Sequence, residues 1–281
     1  MKIYSIETGN FKLDGGAMFG VVPKLLWNKI YPADENNRCS WAMRCLLVET
    51  DDRKILIDSG VGDKQGEKFL KNFGLFGDDS LIASLKKHGF SPQEITDVVH
   101  THLHFDHCGG TIKYDENKKL VPTFPNAKLW VGKEHWENAI KPNARERASF
   151  LKENILPMQE SGKLNFIEKE GELFPGFYVK LFKGHTVGQV IPHIKYNGKW
   201  LIYGGDLFPS FAHIYEPYIM GYDMCARETL ADKQRFFKDA IENNYTIFFE
   251  HDFYNECATI HKTEKGHKVK DTFSLKEFIA K

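Results

Sequence analysis

Thr101-His102-Leu103-His104-Phe105-Asp106-His107 places three histidines and one aspartate within six consecutive positions, directly behind the apolar run Thr96 to His100. Imidazole nitrogen and carboxylate oxygen are good ligands for zinc and similar borderline ions. In a turn that follows a strand, alternating side chains can converge on two adjacent points. With 12 histidines in 281 residues, a chance His-x-His-x-Asp-His is on the order of one in a thousand. The stretch reads as a metal site at a strand–loop junction rather than as a run of exposed polar residues.

Around it, strand and helix signals alternate. Arg44 to Thr50 and Lys54 to Asp58 read as two strands joined by the turn residues Asp51 and Asp52. Ser80 to His88 has helical spacing at Leu81, Ile82 and Leu85, with Gly89 as its stop. Ser91-Pro92-Gln93-Glu94 is a helix-start pattern for a single turn feeding the Thr96 strand. Later strands are predicted over Phe177 to Phe182, Gln189 to Lys195, Trp200 to Tyr203 and Tyr245 to Phe249. Lys233 to Glu242 reads as a helix with Phe236, Phe237, Ala240 and Ile241 inward. The mixture predicts an α/β (α+β) fold of two sheets with covering helices. No repeat, low-complexity tract or linker interrupts residues 1–281, so a single domain is expected.

Composition narrows the class. Hydrophobic residues make up 42%, enough for a sizeable core, and 38 basic residues balance 38 acidic ones. No overall field favours nucleic acid or an anionic membrane. The N-terminal Met1 to Glu7 lacks the basic–apolar–small pattern of a signal peptide, and no apolar run is long enough to span a bilayer. Five cysteines, an odd number with no Cys-x-x-Cys pair, fit reduced thiols and a cytoplasmic location.

The Thr101–His107 stretch resembles the metal-binding signature of the metallo-β-lactamase superfamily. Further elements of that pattern follow in order: Ile57-Asp58-Ser59-Gly60-Val61-Gly62, Gly184-His185-Thr186-Val187-Gly188, Gly204-Gly205-Asp206 and Glu250-His251-Asp252. The resemblance implies an αββα sandwich of two mixed sheets flanked by helices. It implies two divalent ions, zinc foremost, one held by His102, His104 and His185 and the other by Asp106, His107 and His251, with Asp206 bridging. Asp58 resembles the aspartate that orients a ligand histidine.

Asp14 to Trp27 together with Cys108-Gly109-Gly110 resembles the branch of quorum-quenching lactonases, YtnP-type lactonases above all, and methyl-parathion-hydrolase-like enzymes. That branch implies a hydrolase opening lactone rings, N-acyl-homoserine-lactone-like, or carboxylic esters by attack of a metal-bridging hydroxide, with Asp106 and Asp206 as catalytic carboxylates. A phosphotriesterase, a glyoxalase-II-like thioesterase and a metal-retaining binding or regulatory protein stay open as alternatives. The implied partner is a small-molecule lactone or ester, with no nucleic acid and no membrane; a homodimer is compatible. Some lactonases carry a tyrosine just after the bridging aspartate, where this chain has Phe208, so Phe208→Tyr is expected to be tolerated. Phe19, Phe105 and Phe208 are candidates for an apolar substrate pocket, and His213 for its polarity. The other histidines, His135 among them, are assigned no part in the metal site.

Overall fold

The computed structural model describes residues 1–281. Strands β1 (Lys2–Asp14), β2 (Arg38–Glu49), β3 (Lys54–Ile57) and β4 (Asp97–Val99) are followed by the small hairpin β5 (Ile112–Tyr114) and β6 (Leu120–Pro122), then by β7 (Lys128–Gly132) and β8 (Leu164–Ile167). The rest are β9 (Gly171–Phe174), β10 (Phe177–Phe182), β11 (Gln189–Tyr196), β12 (Lys199–Tyr203), β13 (Thr246–Phe248), β14 (Cys257–Thr263) and β15 (Gly266–Phe273). Two larger sheets result, ordered β1-β2-β3-β4-β7-β8 and β15-β14-β13-β12-β11-β10-β9. Both are mixed: β2–β3 is antiparallel and β3–β4 parallel in the first, while β12–β13 is parallel and β13–β14 antiparallel in the second.

The helices are α1 (Gly15–Phe19), α2 (Lys24–Trp27), α3 (Glu67–Asn72), α4 (Leu81–Lys87), α5 (Phe105–Cys108), α6 (Lys133–Ile140), α7 (Lys152–Glu160), α8 (Ala226–Glu242) and α9 (Leu275–Ala280). None is long and apolar enough to cross a membrane.

By contacts the chain divides into two compact units, each assembled from separate segments. The first comprises Met1–Gly9, Met43–Lys169 and Gly188–Val190; the second comprises Asn10–Ala42, Glu170–Val187 and Ile191–Lys281. The core of the first unit gathers Leu47, Leu56, Val98, Leu129 and Val131 from its strands with Leu81 and Leu85 of α4. That of the second gathers Ile191, Ile202 and Ile247 with Phe208, Phe236 and Phe237.

The local signals act as their chemistry requires. Ser80 caps α4 by accepting from the Ala83 amide, and Phe90 N–H closes its C-terminus onto the Leu85 carbonyl. Ser91 and Glu94 form a capping box around Pro92–Glu94. In α8 the buried residues Thr229, Lys233, Phe236, Phe237 and Ala240 form one helical stripe. Ile241, expected inward, is instead 37% exposed, because it falls beside that stripe. β1, β5 to β9, β14 and β15 were not anticipated. β1 buries residues three apart, without a clean alternation, and β15 is a polar edge strand carrying Lys268 and Lys270.

Candidate metal centre

In the first unit, β3, β4 and β7 run parallel, so the loops that follow them emerge at one end of the sheet. The loop after β3 brings Asp58, the loop after β4 brings Thr101 to His104, and α6 after β7 brings His135. Asp58 occupies the left-handed backbone region, φ 58°. This costly conformation for a non-glycine is maintained by its surroundings. Its Oδ1 accepts from the Thr101 amide at 2.8 Å, and its Oδ2 from Thr101 Oγ1 at 2.7 Å. The same Oδ2 lies 3.2 Å from Nδ1 of His107.

His102 Nδ1 faces Thr101 Oγ1 at 3.0 Å, while its Nε2 lies 2.9 Å from Nδ1 of His104. Asp106 Oδ2 is 3.8 Å from Nε2 of His107. His107 and Asp106 sit on α5, which is N-capped by His104 and turns through buried residues throughout. Gly109 ends that turn where a β-carbon would sit 2.0 Å from the Val61 carbonyl oxygen, so no other residue fits.

The second unit builds its part from three loops. β12 and β13 are parallel neighbours, so Asp206 after one and His251 after the other leave the same end of the sheet. His185 follows β10 on a segment whose Gly184 would drive a β-carbon to 2.2 Å from the Thr229 amide nitrogen. Asp232 accepts from the amides of Lys183 and Gly184 at 2.8 Å each, fixing that segment to α8. The result is a carboxylate between two imidazoles. Asp206 Oδ2 lies 3.1 Å from His185 Nε2, and Oδ1 lies 3.1 Å from His251 Nε2.

The far nitrogens are also engaged. His185 Nδ1 donates to Asp223 Oδ1 at 2.9 Å, and His251 Nδ1 to the Ala42 carbonyl at 2.8 Å. Each contact places the proton on Nδ1 and leaves an Nε2 lone pair directed at Asp206.

A family model of the metallo-beta-lactamase superfamily matches residues 44–246. The chain belongs to the metallo-β-lactamase superfamily. The N-acyl homoserine lactonase AiiA of Bacillus thuringiensis subsp. kurstaki is 28% identical over 203 residues, 66% of this chain and 67% of that one. A probable metal-dependent hydrolase from Staphylococcus aureus matches with a TM-score of 0.88 at 32% identity, covering 97% of this chain and 96% of its own. AidC, a dizinc quorum-quenching lactonase, matches in fold with a TM-score of 0.78 at 22% identity, over 96% and 94% of the two chains. This protein is thus a metal-dependent hydrolase related to the N-acyl homoserine lactonases, with the mixed α/β fold of metallo-β-lactamase hydrolases.

The residues fit the metals that this family implies. The candidate donors are imidazole nitrogens and carboxylate oxygens, the set that suits zinc. Two ligands about 2.0–2.1 Å from a tetrahedral ion stand about 3.3 Å apart. The pairs His102–His104, His185–Asp206 and His251–Asp206, at 2.9, 3.1 and 3.1 Å, are close to that spacing.

The pocket candidates fare differently. Phe208 is fully buried, packed on Phe236 and Phe237 with ring centroids 4.7 and 5.4 Å away. Phe19 is fully buried between Trp27 and His213, stacked on both. These two rings are core of the second unit rather than pocket wall. His213 is committed on both sides, Nδ1 to Ser210 Oγ and Nε2 to the Met18 carbonyl, each at 2.8 Å. Burial, with Lys233 nearby, pulls it down to about 3, so it is a neutral packing histidine. Phe105 is buried too, though at 8% exposed it is less deeply enclosed than the other two; Phe69 and Phe73 pack against it at 5.1 and 4.5 Å. Both belong to the segment of α3, which buries none of its own residues.

Three positioning groups escaped the sequence reading. His135 Nε2 accepts from the Leu103 amide at 2.8 Å, in the middle of the His102–His104 loop. Asp223 and the Ala42 carbonyl hold His185 and His251. Neither Asp223 nor Ala42 has a motif around it, and a backbone carbonyl leaves no mark in a sequence. His135 carried a usable signal, a histidine placed just after a strand, but its partner is an amide that any residue would supply.

Proposed function

We propose that the His102, His104, Asp106 and His107 set and the His185, Asp206 and His251 set serve one pair of divalent ions, most simply zinc. We propose further that the enzyme opens the ring of N-acyl-homoserine-lactone-like substrates. The observation that carries this reading is Asp206, whose two oxygens each face a different imidazole at 3.1 Å. A carboxylate so placed would help hold both ions. The lactone follows from the relatives named as N-acyl homoserine lactonases and from the Phe69–Phe73–Phe105 cluster beside the ligand loop.

Two bound divalent ions supply Lewis-acid polarisation of a carbonyl and bring the pKa of water towards neutrality. The chain does the rest. Asp58, Asp223 and the Ala42 carbonyl hold three imidazoles in one tautomer. A carboxylate oxygen of Asp106 or Asp206 takes the proton of the attacking water and returns it to the alkoxide released from the ring. Water thereby adds across the ester C–O bond, giving the open hydroxy acid. Phe105, with Phe69 and Phe73, offers apolar surface to an acyl chain, at about 0.8 kcal/mol per methylene buried.

The test is a pH-stat assay of metal-loaded protein against lactones of several chain lengths beside a phosphotriester and a thioester. Ring opening with KM falling as the chain lengthens is expected, and His102→Ala should abolish it. Untouched lactones beside efficient phosphotriester hydrolysis would replace this reading.

A further inference from the structure

Four of the five candidate ligand histidines have a far-side partner that sets their tautomer: Thr101 Oγ1 for His102, Asp58 for His107, Asp223 for His185 and the Ala42 carbonyl for His251. His104 is turned the other way. Its Nδ1 faces His102 Nε2 at 2.9 Å, and its Nε2 faces Glu146 Oε1 at 3.9 Å. We propose that Glu146 is the positioning residue of His104, an outer carboxylate that holds the proton on Nε2 and keeps Nδ1 directed at the metal. The proposal rests on the metal centre argued above, but not on the choice of substrate.

Glu146 is itself held firmly. It lies in the turn after α6 and is only 5% exposed, although a glutamate in a turn ordinarily faces water. Its Oε2 accepts from two asparagine amides, Asn143 Nδ2 at 2.6 Å and Asn138 Nδ2 at 3.2 Å. Asn143 also shapes the turn, since its Oδ1 accepts from the Arg145 and Glu146 amides at 2.8 and 3.1 Å. Phe150, at the end of the same turn, lays its ring 4.9 Å from that of His104. One short segment thus supplies both a wall and a carboxylate to this histidine.

The chemistry explains the arrangement. A neutral imidazole that ligates through Nδ1 must carry its proton on Nε2. The ion draws electron density from the ring and makes that N–H a stronger donor, which an ionised carboxylate stabilises. At 3.9 Å the contact is an ion-pair separation rather than a hydrogen bond. A small shift of the His104 ring, or one bridging water, completes it. The two asparagine donors fix the carboxylate in place, so little ordering is left for the moment of metal binding.

The experiment measures zinc affinity of the full chain by competition with a chromogenic chelator, together with the visible spectrum of the cobalt(II)-loaded protein. The variants are Glu146→Gln, Glu146→Ala, Glu146→Asp and His104→Ala. Glu146→Ala and Glu146→Gln are expected to bind one equivalent of zinc about 10–100-fold more weakly and to alter the cobalt spectrum. Glu146→Asp, which keeps the charge, should recover part of the affinity. Melting curves of the metal-free variants identify any that fail to fold, in which case Glu146→Asp and Asn143→Ala carry the measurement, both with weaker zinc binding expected. Wild-type affinity and spectrum in the Glu146 variants, beside a weakened His104→Ala, overturn the role of Glu146 alone. Wild-type affinity in His104→Ala as well overturns the metal centre.

Discussion

Asp58 Oδ2 lies 3.2 Å from Nδ1 of His107, forty-nine positions along the chain, while the same carboxylate ties down the amide and hydroxyl of Thr101. One side chain thus sets the tautomer of a candidate ligand and the path of the loop that carries two others. Asp58→Asn keeps the left-handed backbone, which asparagine tolerates, but removes the charge opposite the imidazole. Metal affinity is expected to fall about 10–100-fold, read by chelator competition. An unchanged affinity would reduce Asp58 to a turn residue.

Asp206 faces both His185 and His251, so its loss should be felt by two ions together. Elemental analysis of metal-replete protein is expected to give about two divalent ions per chain. Asp206→Ala should lower that content and abolish turnover. A variant with full metal and full activity would refute the bridging assignment.

Metal binding should also stabilise the fold. Ligands at 100 times their dissociation constant contribute about 2.7 kcal/mol, and the crowded polar groups at positions 102–107 lose their compensation without an ion. Chelation is expected to lower the melting temperature in parallel with activity. A melting curve indifferent to verified metal removal would mean that the protein alone holds the site in place.

Phe208 sits at the position where some lactonases carry a tyrosine, but its ring is sealed among Phe236 and Phe237. A hydroxyl added there would be buried, and an unsatisfied one costs about 1–3 kcal/mol. Phe208→Tyr is therefore expected to lower the urea midpoint without raising kcat, which reverses the expectation from sequence. Higher turnover at unchanged stability would show that this ring reaches substrate after all.

Burial pulls His213 down to about 3 and His193 to about 4, with Lys233 adding to the effect at His213. In the unfolded chain both titrate near about 6.5. Below that value the unfolded chain takes up protons that the folded one refuses. The stabilisation is therefore complete above about pH 6.5 and is lost progressively as the pH falls towards 4 and then 3. Urea midpoints of wild type should drop between about pH 7 and pH 5, and His193→Asn should flatten that slope. An unaltered slope in the variant would place the acid sensitivity elsewhere.

The sequence by itself determined the family, the candidate metal donors and most of the elements that carry them. The reason is local: His-x-His-x-Asp-His after an apolar strand, Gly-His before a turn and Gly-Gly-Asp after a strand encode metal chemistry within a few residues. The Ser91–Glu94 helix start is equally local and lies where it was read. Asp58 behind His107 was legible from the resemblance, but tertiary structure alone decided what stands behind His104, His185 and His251. Asp223, Glu146 and the Ala42 carbonyl meet their histidines across 38, 42 and 209 positions, and no period or motif links residues so far apart. It also decided how deeply each candidate aromatic ring is enclosed. Phe19, Phe105 and Phe208 are the same residue type, each within two positions of a glycine or a candidate ligand. Only the packing of Trp27, of Phe73, and of Phe236 with Phe237 against them sorts two into the core and leaves one at the site.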